Sequence, residues 1–173
     1  MAYDLRDGHR VVTFAEAAHQ GPWRLPPKIR AEVAQQNALG LAMIGAPIDA
    51  VEQEMDAARE LLAVAALNDD QPGPGSAYFT MDTLRLRQAA CYTEAGKPAK
   101  GAVLFAGVIA SGELSRGDAG FSGARRAAAL ALSGEPDEAA AVGLQAVEVA
   151  RETNSERTVR RKHSVAVRRG VVC

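Results

Sequence analysis

The sequence predicts an all-α fold built of stacked antiparallel helix pairs. Three observations carry that prediction. The first is composition: the 173 residues are 47% hydrophobic but only 5% aromatic, and Ala is abundant. That balance suits closely packed helices and is poor in the β-branched and aromatic runs a sheet sandwich needs. The second is a turn that recurs in phase. Gly45-Ala46-Pro47, Gly96-Lys97-Pro98 and Gly134-Glu135-Pro136 share Gly-x-Pro, with a small residue five after each Gly (Ala50, Gly101 and Ala139). The third is apolar spacing. Val51, Met55, Ala58 and Leu62 recur at three- and four-residue steps, and so do Ala139, Val142, Ala146 and Val149. Each set is one stripe of an amphipathic helix.

The stretch from Ser133 to Ala150 shows how the turn works. Gly134 ends a helix, because Gly enters the left-handed region without a Cβ clash. Pro136 opens the next helix, where its missing N–H costs nothing. Asp137 and Glu138 then complement the positive end of the helix dipole. Two helices joined so tightly approach closely only where side chains are small. Ala139 and Ala146 are therefore expected at their crossing.

In chain order, Val11–His19 is expected to be a short helix. Gly21-Pro22-Trp23-Arg24-Leu25-Pro26-Pro27 is expected to be a linker, with Trp23 covering the end of the stack or anchoring a partner. Lys28–Ile44 and Pro47–Ala66 form the first clear pair, within about residues 28–66. Asn68–Ser76, rich in Asp, Pro and Gly, reads as a loop insertion. Phe79–Ala95 and Pro98–Ile109 form the second pair, within about 79–110. The Gly-rich stretch Ser111–Gly120 reads as a connection. Phe121–Leu132 and Pro136–Glu152 form the third pair, within about 121–152. Ser155 is a plausible N-cap for a final basic helix. One helical-repeat domain over residues 1–173 is the expectation at this length.

At these residues the chain resembles tetratricopeptide-repeat proteins. More narrowly, it is similar to the C-terminal helical-repeat domain of actinobacterial helix-turn-helix (XRE-type) transcriptional regulators. The resemblance rests on Gly134–Ala139 followed by the Ala-rich helix Ala139–Arg151, on Ser155-Glu156-Arg157, on Ser115-Arg116 ahead of Phe121, and on Cys91-Tyr92 ahead of Gly96. It covers about Ala31–Arg160. The turn spacings are 51 and 38 residues, against about 34 for a tetratricopeptide unit, and the loop insertion accounts for the longer one. The resemblance implies a tetratricopeptide-like α-solenoid of three to four stacked pairs. It also implies a bacterial, cytoplasmic sensor or interaction module, with a protein, a peptide or a small-molecule effector as partner and a homodimer as a possible assembly. Two features depart from the family. No DNA-reading domain is legible in this chain, and the Leu-rich capping helix is replaced by the basic stretch Arg160–Gly170.

Charge and cysteine usage narrow the function classes. A net charge of −1 gives no bulk attraction to nucleic acid or membrane. Two cysteines, Cys91 in an apolar segment and Cys173, suggest no disulfide framework and fit a reducing cytosol. No apolar run is long enough to span a bilayer. His9, His19 and His163 lie far apart, without the close-set pairs a zinc site uses. Asp69-Asp70 lacks the alternating oxygen ligands and closing Glu of a calcium loop. Neither Gly73-Pro74-Gly75 nor Gly120-Phe121-Ser122-Gly123 continues into a phosphate loop. Cys91 reads as core rather than nucleophile, and no residue set is assigned a catalytic, metal or cofactor role.

Two surfaces remain as candidates. The first helix of each pair lines the concave side of such a stack. That side is expected to include Glu32, Gln35, Leu39, Thr83, Leu86, Thr93 and Glu94, a mixture able to hold a peptide or small ligand. The basic tail, with Arg157, Arg160, Arg161 and Lys162, could contact phosphates. The plainer reading, which the absence of interleaved aromatics favours, is a solvated terminal helix or a frayed tail. The competing reading is a stand-alone scaffold that self-associates through its ends.

Overall fold

The computed structural model describes residues 7–67 and 78–153. They form seven α-helices in the order α1 (Gly8–Gln20), α2 (Pro27–Met43), α3 (Ile48–Leu67), α4 (Met81–Glu94), α5 (Pro98–Ala110), α6 (Arg116–Ser133) and α7 (Pro136–Glu152). No strand occurs among the described residues. The expected loop insertion Asn68–Ser76 and the expected basic tail lie outside them. So does the expected N-cap Ser155.

The recurring turn has the expected backbone. Gly45, Gly96 and Gly134 have φ of 75°, 74° and 90°, the left-handed region that a Cβ disfavours. After α6 the Glu135 N–H reaches the Leu130 carbonyl at 3.0 Å, and after α2 the Ala46 N–H reaches the Leu41 carbonyl at 3.0 Å. This six-to-one closure supplies donors to carbonyls that the helix leaves unpaired. Pro98 and Pro136 open α5 and α7. Pro47 stands one residue before α3 and accepts from the Ala50 N–H at 3.0 Å.

Against expectation, α1 starts three residues earlier, at Gly8, and α4 two later, at Met81; the largest difference is at the start of α6. Part of the stretch read as a connection, Ser111–Gly120, is helical: α6 starts at Arg116, five residues before Phe121. The cause is a local cap. The Asp118 N–H donates to Ser115 Oγ at 3.2 Å, and the Ser115 hydroxyl donates to Asp118 Oδ2 at 2.7 Å. Two bonds at the helix start outweigh the weak helix propensity of Gly117 and Gly120.

By its contacts the chain divides into two compact units, Met1–Ala95 and Gly96–Cys173. The expected pair at 79–110 has α4 in the first unit and α5 in the second. In the first unit α2 packs on α1, α3 and α4, and α3 also meets α4. Its core joins Ala31, Ala34, Ala38 and Leu39 of α2 to Val51, Met55, Ala58 and Leu62 of α3, with Phe79, Leu84 and Cys91. The whole predicted α3 stripe is therefore buried, and Cys91 is a core residue. At the α1–α2 crossing, a Cβ on Gly8 would lie 2.8 Å from Met43 Cβ, and one on Gly40 would lie 2.8 Å from Val12 Cγ2.

In the second unit α6 packs on α5 and α7. Small residues form the α6–α7 contact. A Cβ on Gly120 would lie 2.6 Å from Val149 Cγ1, while those on Gly123 and Gly143 would rest at 3.6 and 3.8 Å from Ala146 and Ala127 Cβ. Ala146 is buried, and Ala139 and Val142 pack against Ala102, Ala129 and Leu130. The ion pairs Arg126–Glu138 and Arg116–Glu152 link the two helices at their edges. No helix among the described residues is long and apolar enough to cross a membrane.

Candidate functional site

The predicted groove residues of the first unit lie on α2 and α4, which pack against each other. Glu32 and Gln35 are one turn apart on α2. Gln35 is only 1% exposed, a buried polar side chain that requires a partner. It has one: Arg87 Nη1 on α4 donates to Gln35 Oε1 at 2.6 Å, and Gln36 Nε2 donates to the same oxygen at 3.3 Å. Arg87 Nη2 lies 3.6 Å from Glu32 Oε1. The guanidinium also sits over the Phe79 ring, 5.2 Å from its centroid. One cation thus ties α2, α4 and the residue leading into α4, while its side chain keeps about a third of its exposure (32%).

Of the other predicted residues, Leu39 lies in the core and offers no side-chain surface to a groove. Thr83 serves the start of α4: its N–H donates to Thr80 Oγ1 at 3.2 Å, and its hydroxyl donates to the Tyr78 carbonyl at 2.9 Å. Thr93 returns its hydroxyl to the Ala89 carbonyl of its own helix at 2.9 Å. Leu86 and Glu94 are half-buried. The structure therefore brings Glu32 and Gln35 together, and joins them to a residue that the sequence reading passed over. Arg87 stands three after Leu84 and four before Cys91, both buried. A cation at a position that helical spacing assigns to the inner stripe was the available signal. The basic-tail residues Arg157, Arg160, Arg161 and Lys162 lie outside the described residues.

A second polar cluster joins α3 to α4. The Tyr92 hydroxyl donates to Glu52 Oε1 at 2.7 Å. Burial, then the bond to Glu52 and its charge, push the phenol from its ordinary value of 10.0 up to about 12. Arg59 pairs with Asp56 and reaches Gln88 at 3.5 Å. On the same helix, Asp49, Glu52, Gln53, Asp56, Ala57 and Glu60 line a shallow hollow of about 490 Å³. Its carboxylates recur every three or four residues, as one solvated helix face does. Trp23 is 54% exposed, and its indole N–H donates to the Ala18 carbonyl at 2.8 Å. It therefore folds back over the end of α1. Among the described residues, no three His, Cys, Asp or Glu side chains converge as metal ligands.

Comparison with protein-family models, with curated proteins and with solved structures found no match.

Proposed function

We propose that this chain is a non-catalytic binding module: a tetratricopeptide-like domain that takes a protein, a peptide or a small effector on the face shared by α2 and α4. In this reading the helix pairs stack as a solenoid, and the module is the sensor half of a bacterial, cytoplasmic transcription-regulatory system. The sequence resemblance supports the regulatory part. One observation carries the site: Arg87 is oriented by buried Gln35 and by Phe79, yet remains a third exposed. An oriented guanidinium loses little freedom when it meets a ligand carboxylate or carbonyl.

The same contact supplies a mechanism. A ligand group that engages Arg87 draws on the cation that ties α4 to α2. Occupancy then shifts helix packing by the difference in ligand affinity between the two arrangements. Native mass spectrometry of the gently purified full chain tests the reading. The expected result is a species carrying an additional peptide or small mass. Glu32→Gln removes the carboxylate that competes for the Arg87 guanidinium and is expected to raise the loaded fraction while leaving the melting temperature within a degree or two. Arg87→Lys, which loses the planar fork, is expected to lower the loaded fraction. A chain that is bare under every gentle condition would overturn the proposal.

The competing reading, a self-associating scaffold, draws on the exposure of Trp23, Val103 and Leu144, which are 54%, 71% and 64% exposed. It expects a mass that rises with concentration in light scattering. A monomer at every concentration rejects it.

A further inference from the structure

We draw no further inference here: the strongest candidate, the uncharged outer stripe of α5 formed by Ala99, Val103, Gly107 and Ala110, is an exposed face of small apolar residues, and nothing in the structure shows what covers it.

Discussion

The α2–α3 pair and the α6–α7 pair share a turn and differ in how they are filled. Both close through a left-handed Gly and a six-to-one hydrogen bond. Around α2 and α3 the space is occupied by side chains: Val51, Met55, Leu62, Phe79 and Leu84 are all buried. Between α6 and α7 much of it is closed by backbone approach, with Gly120, Gly123 and Gly143 set against Val149, Ala146 and Ala127. One turn chemistry thus serves two packing solutions. A side-chain-filled contact fails when atoms are removed, whereas a contact closed by glycine fails when atoms are added.

That contrast is open to mutation. The largest effect is expected in the first pair. Met55→Ala removes one of the largest fully buried side chains and should cost about 2–5 kcal/mol in denaturant unfolding. A loss under 1 kcal/mol would mean that the core is not filled as described. Next comes Gly120→Leu, whose Cβ alone would lie 2.6 Å from Val149 Cγ1. It should cost about 1–3 kcal/mol by overpacking, and so should Ala146→Leu. Gly123→Ala reverses the sign. Its Cβ meets Ala146 at an ordinary 3.6 Å, so the helix-propensity gain of up to about 1 kcal/mol should appear as a raised melting temperature. If Gly123→Ala and Gly120→Leu behaved alike, glycine would not be setting the α6–α7 distance.

Polar groups on α2 and on α4, which packs against it, give smaller effects. Tyr92 titrates at about 12 in the folded chain, against its ordinary 10.0. The folded state therefore holds this proton more tightly than the unfolded one. The associated stability is fully present below about pH 10 and is lost as pH rises towards about pH 12. Absorbance at 295 nm should show one tyrosine ionising late, and Tyr92→Phe should remove both the late phase and that part of the alkaline stability loss. Asn37 Oδ1 is buried without a hydrogen-bond partner. Asn37→Leu should accordingly stabilise the chain, by about 1 kcal/mol in denaturant unfolding. A destabilised Asn37→Leu would show that this amide is satisfied in solution.

Much of the fold is legible in the sequence because it is local. The Gly-x-Pro turns, the α3 stripe and the small residues at Ala139 and Ala146 each follow from spacing within one or two helices. The start of α6 is missed because Gly117 and Gly120 read as loop residues. The Ser115–Asp118 cap and the fit of Gly120 against Val149 make them helical, and the second of these is a tertiary contact. The same limit applies to the candidate site. Gln35 was expected on an open face, but its placement depends on Arg87, 52 positions away in the chain. Leu39 falls on the expected side by counting, and α2 buries it because it packs on α1, α3 and α4 together. Counting along one helix cannot reveal how many neighbours that helix has.

Arg87 holds α4 to α2 through Gln35 on a surface still open to solvent. A double-mutant cycle with Gln35→Met and Arg87→Met, read by denaturant unfolding of the full chain, tests it most directly. A hydrogen bond from a charged group to a buried acceptor predicts a coupling of about 1.5–3 kcal/mol, with the double variant less destabilised than the sum of the two single effects. Additivity within about 0.3–0.5 kcal/mol would contradict the claim and remove the link between the proposed groove and the packing beneath it.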